Sequence, residues 1–93
     1  MSDLELQSIR DFILCAAARF PRGITTFSLN VAVIAAGFEL PARGADALEA
    51  QLKYLRGKNL LALKAKAHTA SAELHELTPD GDDYLRSKKL LNE

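Results

Sequence analysis

Apolar residues along this chain fall into blocks whose spacing changes from helical to extended and back. From about Leu4 to Phe20, the residues Ile9, Phe12, Ile13, Ala16 and Phe20 recur at three- and four-residue steps, the spacing of one buried helical face. Pro21 and Gly23 close this first predicted helix. Leu14 and Ala18 fall on its opposite side, with Cys15 at the edge, so a second apolar stripe needs a cover from another helix or another subunit. Gly23-Ile24-Thr25 reads as a short extended connector. Beyond it, Thr26 or Ser28 can cap a second helix that ends at Gly37. Phe27, Leu29, Val31 and Val33 also alternate as a strand would, but Ala32, Ala35, Ala36 and the closing Gly37 favour the helix.

Pro41 stands where a third helix begins, and Ala45, Leu48, Leu52 and Leu55 line one face of it until Gly57-Lys58-Asn59 breaks the pattern. From Leu60 the period drops to two. Leu61, Leu63, Ala65 and Ala67 point one way; Ala62, Lys64, Lys66 and His68 point the other. His68 to Ala72 is a small, polar loop, and Glu73 to Leu77 returns as a less regular strand. Thr78-Pro79 reads as the N-cap and first residue of a fourth helix, with Asp80, Asp82 and Asp83 at the positive end of its dipole. Lys88 and Lys89 suit the negative end, and the helix is expected to finish near Leu91. The expected architecture is mainly α with a small β-hairpin, in the order helix, strand, helix, helix, hairpin, helix. No repeat, low-complexity segment or linker interrupts it, so residues 1–93 are read as one domain.

Tryptophan is absent and aromatic residues are few, which leaves Leu, Ala, Ile and Val to fill the interior of a 93-residue chain. So thin a core often gains stability from dimerisation, and Leu14, Ala18, Leu90 and Leu91 are the candidate interface of a homodimer. A single cysteine, Cys15, cannot form an internal disulfide and suits a reducing compartment. The acidic Asp3 and Glu5 near the start do not make a signal peptide, and no apolar stretch approaches the roughly 18 residues of a membrane span. A soluble, cytoplasmic protein is expected.

The net charge is zero but unevenly spread. Residues 1–50 hold four Lys/Arg against six Asp/Glu, whereas between Ala50 and Ala72 there are five basic side chains and no acid. That asymmetry points to an electrostatic contact surface in the third helix and the hairpin.

The order of elements resembles the winged helix-turn-helix superfamily of bacterial transcription regulators. The residues that carry the resemblance are Gly23-Ile-Thr-Thr, Ala35-Ala-Gly-Phe, Leu52-Lys-Tyr-Leu-Arg-Gly-Lys-Asn-Leu-Leu and Leu77-Thr-Pro-Asp-Gly-Asp-Asp-Tyr-Leu, spanning roughly residues 9–86. The resemblance implies duplex DNA bound by the third helix in the major groove and by the hairpin wing along the backbone or minor groove. Carried onto this chain, the base-facing candidates are Arg43, Ala47, Ala50, Lys53 and Tyr54; the phosphate candidates are Arg56, Lys58, Lys64, Lys66 and His68. Asp46 and Glu49 in the same helix oppose phosphate, and each cation also has a plain reading as a solvated charge.

No Gly-rich phosphate loop, no nucleophile-base-acid arrangement and no Cys or carboxylate at ligand spacing from His68 or His75 occurs, so neither an enzyme, a cofactor nor a metal site is expected. Two functions fit: a small DNA-binding regulator, or a winged-helix protein-interaction module within a larger assembly. The basic stretch favours the first; neutral charge and the spare apolar stripe favour the second.

Overall fold

The first helix is buried around more of its circumference than one apolar stripe requires. In the computed structural model, which describes residues 2–90, this helix (α1, Asp3–Ala18) buries Ile9, Ile13, Leu14, Ala16 and Ala17. Leu14 is 0% exposed. It is therefore a core residue of its own chain and not part of a free stripe, and Ala18 is half-buried against the same core. The physical reason is that other elements of the chain cover α1 from more than one side, so both predicted stripes find partners within the molecule.

Ser2 caps α1 by accepting from the Glu5 N–H at 3.2 Å. The helix stops two residues earlier than the periodicity predicts. Pro21 cannot continue it, and the Arg19 and Phe20 amides turn back tightly onto the Ala16 and Ala17 carbonyls. Phe20, expected on the buried face, is consequently swung out and 52% exposed.

Gly23 adopts φ +108°, and a Cβ there would strike the Leu74 side chain, so the turn into the short strand β1 (Ile24–Thr25) needs a glycine. The second helix (α2, Thr26–Ala35) is helical as the alanines suggest, but its cap is Thr25, whose hydroxyl accepts from the Ser28 N–H at 3.1 Å. Gly37, at φ +92°, ends it in the left-handed conformation.

The third helix departs most from expectation. It does not begin at Pro41 but at Leu48 (α3, Leu48–Gly57), and residues 42–47 form turns and bends. Gly44 sits at φ +98°, which no helix can hold, and the Ala47 N–H closes a turn onto the Gly44 carbonyl. The N-cap is Ala47, with no side-chain hydrogen bond, so nothing in the sequence signals the start.

After α3 come strand β2 (Leu61–Ala65), a single 3₁₀ turn (Ala70–Ala72) and strand β3 (Leu74–Leu77). The sheet is antiparallel in the order β1-β3-β2, with Ile24 and Leu63 both opposite His75 and Leu61 opposite Leu77. Regular alternation ends at a bulge, where Lys64 is the extra residue between the Leu63 and Ala65 pairs.

The last helix (α4, Pro79–Ser87) starts where predicted, with Thr78 as its cap, but ends at Ser87, because Lys89 turns left-handed at φ +58°. Leu91 lies outside the described residues. The Thr78 hydroxyl accepts from the Gly81 N–H at 2.9 Å and donates to the Asn59 carbonyl at 2.6 Å, which ties the end of α3 to the start of α4. A Cβ on Gly81 would meet the Leu60 carbonyl oxygen, so this junction is closed to any larger residue.

The described residues form four helices around a small three-stranded antiparallel sheet, with Leu14, Leu29, Leu55, Leu61 and Leu85 among the fully buried side chains. No helix among the described residues is long and apolar enough to cross a membrane.

Among the polar side chains buried in this core, His75 is the one left with a buried atom that has no partner among the described residues. His75 is 1% exposed; its Nε2 lies 2.7 Å from the Thr26 hydroxyl, and its buried Nδ1 has no partner. Burial, reinforced by the Arg56 charge and opposed by Glu73, holds the His75 pKa below its usual 6.5.

Two outcomes are expected. Leu14→Ala should cost about 2–5 kcal/mol in denaturant unfolding, as a buried truncation does. A loss below about 0.5 kcal/mol would place Leu14 outside the core. His75 is neutral in the fold with a depressed pKa, so its contribution is complete above the unfolded value of 6.5 and is lost as pH falls through that value to the folded one. Stability should therefore decline as pH falls through about 6.5 and below, and His75→Gln should flatten that decline. Identical pH curves for the two proteins would remove His75 as the cause.

Candidate nucleic-acid interface

Helix α3 buries Leu48, Gln51, Leu52 and Leu55. The helical repeat then turns Ala50, Lys53 and Gly57 away from the core, Ala50 half-buried and the other two exposed, with Glu49 and Arg56 on one flank and Tyr54 on the other. Ala50 and Gly57 are small, so this ridge is low except for Lys53.

Gln51, an amide in the middle of the apolar stripe, is the key to how α3 is held. It is 1% exposed. Its Nε2 donates to the Ala45 carbonyl at 3.0 Å, and its Oε1 accepts from Arg10 Nε of α1 at 2.8 Å. Both ends of the amide are satisfied, which removes the cost of burying it. The same contact lays the Arg10 guanidinium over the Tyr54 ring, 3.7 Å from its centroid, while the Lys58 ammonium lies 5.7 Å from that ring. Sequence reading missed Arg10 and Gln51 as contributors to this face. Gln51 was visible as a polar residue on an apolar face; the Arg10 contact spans 41 residues and left no local trace.

Past Tyr54, a groove of about 540 Å³ runs between α1, α3 and α4, lined by Arg10, Lys58 and Lys88 with Asp11, Tyr54 and Tyr84. Its far wall is tied together by hydrogen bonds. The Tyr84 hydroxyl donates to Asp11 Oδ1 at 2.7 Å and accepts from Gln7 Nε2 at 2.7 Å. Burial and the hydrogen bond to Asp11 push the Tyr84 phenol up to about 12. On the opposite flank of α3, a cleft of about 190 Å³ is lined by Lys53, Arg56, Glu49 and Glu73, with His75 and Thr26 at its inner end.

The predicted site residues are only partly brought together. Ala50, Lys53, Tyr54, Arg56 and Lys58 lie on or at the end of α3. Arg43 does not: it is exposed in the connection before the helix. Ala47 is 5% exposed at the N-cap and cannot face a base. Both corrections follow from the late start of α3. Tyr54 is 41% exposed, but Arg10 occupies one ring face, so it forms the rim of the helix and not a free stacking platform. Lys64 crosses the sheet from β2 past the central β3 and donates to the Arg22 carbonyl ahead of β1 at 2.8 Å. Lys66 and His68 are exposed beyond the end of β2. Of the dimer candidates on α1 and after α4, Leu14 is internal and Leu90 is 41% exposed.

Among the described residues, Arg10, Lys53, Arg56, Lys58 and Lys88 form no ion pair, whereas Arg86 pairs with Asp82 at 2.8 Å. No direct ion pair neutralises the cations flanking α3, although Glu49 and Glu73 share the cleft of Lys53 and Arg56, and Asp11 the groove of Arg10. Compared with protein-family models, with curated proteins and with solved structures, the chain finds no match.

Proposed function

We propose that the protein binds duplex DNA through α3 and the adjoining hairpin, as a small winged helix-turn-helix regulator. The element order and the sheet order β1-β3-β2 support that reading of the fold. The observation that carries the function is the low ridge of Ala50, Lys53 and Gly57 between unpaired cations, Arg56 on one side and Arg10 with Lys58 on the other. A duplex offers a groove for such a ridge and a phosphate row on each side of it.

In this arrangement Lys53 enters the major groove, where an ammonium donates to the acceptors of guanine. Ala50 allows close approach. Arg56, Lys58 and Arg10 neutralise phosphates, and Lys66 reaches the backbone beyond the helix. Glu49 sets a limit, since its carboxylate repels phosphate near the start of α3. Gln51 acts as a positioning residue, holding Arg10 on the α3 rim.

With about three to four phosphates neutralised, log affinity should fall against log salt with a slope of about −3. Fluorescence anisotropy on a labelled duplex measures it. Arg56→Ala with Lys58→Ala should flatten the slope by up to about two phosphate equivalents and weaken all sequences alike. Lys53→Ala should instead alter discrimination between sequences. Lys64→Ala should change the slope least, because its ammonium is held at the far edge of the sheet. No binding by the wild type at about 50 mM salt, where the electrostatic contribution is large, would end the DNA reading in favour of an acidic protein partner.

A further inference from the structure

The most unusual surface lies on α2, away from the α3 cations. Phe27 is 64% exposed, Ile34 62%, Phe20 52% and Val31 49%. Phe27, Val31 and Ile34 recur at four- and three-residue steps, so they form one ridge along the helix. Beside the ridge runs a groove of about 340 Å³ between α1 and α2, lined by Phe12, Cys15, Phe20, Phe27 and Val31, with Arg19 at one end. No charged residue occurs from Gly23 to Phe38.

We infer that this face is where a second copy of the chain docks, with the two α2 helices antiparallel across a twofold axis. An isologous interface requires a self-complementary patch, and this patch holds both parts: a ridge of large side chains and, next to it, a groove to receive one. Charge is confined to its two ends. Arg19 and Arg22 stand at the N-terminal end of α2 and Glu39 follows the C-terminal end, and all three are exposed. Antiparallel pairing sets the arginines of one copy against Glu39 of the other. It also brings opposite ends of the two helix dipoles together, and α2 has no acid in its first turn and no base in its last to compensate them within the chain.

The area fits as well. The four exposed side chains present roughly 400 Å² of apolar surface, taking 150–250 Å² for an aromatic and less for the aliphatics. A standard interface buries about 800 Å² per partner, a little over half of it apolar, or roughly 450 Å². The pairing differs from the dimer expected through Leu14, Ala18, Leu90 and Leu91, and it does not depend on DNA binding.

Sedimentation equilibrium of the full chain between about 1 and 100 µM tests it. The expected species is a dimer, twice the 10.2 kDa of one chain. Val31→Glu should weaken dimerisation at least about tenfold while leaving the thermal unfolding of the monomer intact, because this side chain faces out. Arg19→Glu and Glu39→Arg should each weaken it, and the double exchange should restore it. Leu90→Glu should leave it unchanged. A monomer at about 100 µM, a dimer indifferent to Val31→Glu, or charge exchanges that do not rescue each other would each overturn the inference.

Discussion

Everything in this molecule depends on α1 being covered from several sides at once. A chain this short has too few apolar residues to build layers around separate centres, so one helix serves as the common wall. The sheet and α4 close on one part of it and α2 on another, which is why Ile9, Ile13, Leu14 and Ala17 are all sealed together. The consequence lies on the far side of α2. With its inner face used against α1 and the sheet, the described residues leave Phe27, Val31 and Ile34 exposed. A thin core and an exposed apolar ridge are thus two results of the same shortage.

The candidate interface is built by the same economy of contacts. Burying Gln51 is tolerable only because Arg10 and the Ala45 carbonyl use both ends of its amide. That requirement brings an α1 arginine onto the rim of α3 and stacks it on Tyr54, and it pins the loop before α3 to the helix. A packing constraint therefore decides which cations flank α3. Neutral net charge does not oppose this. The acids of α4 lie at its own N-terminus, where the helix dipole and the Asn59 side chain, donating to Asp80 at 2.8 Å, hold them.

Elements with strong local grammar were legible in the sequence. The two-residue period after Leu60, the Thr78-Pro79 start of α4 and the glycine stop after α2 each depend on neighbours in the chain, so local physics is enough to reveal them. The cations of α3 were equally plain, since Lys53, Arg56 and Lys58 sit on one short acid-free segment. Where local signals are absent or misleading, the sequence does not mark an element's true bounds. Pro41 offered a plausible helix start, while the true N-cap, Ala47, carries no capping side chain; Arg43 and Ala47 therefore do not lie on the outer face of α3.

What the sequence determined by itself was therefore the element types, their order and the location of the charge, because these follow from spacing and from side-chain chemistry within a few residues. Only the tertiary structure decided what each face meets. It turned Leu14 inward, sealed His75 against Thr26, drew Arg10 onto Tyr54 and left the α2 ridge bare. A helical period says that two stripes are apolar. It does not say which is covered, since that depends on residues tens of positions away and on how much apolar surface the rest of the chain can supply.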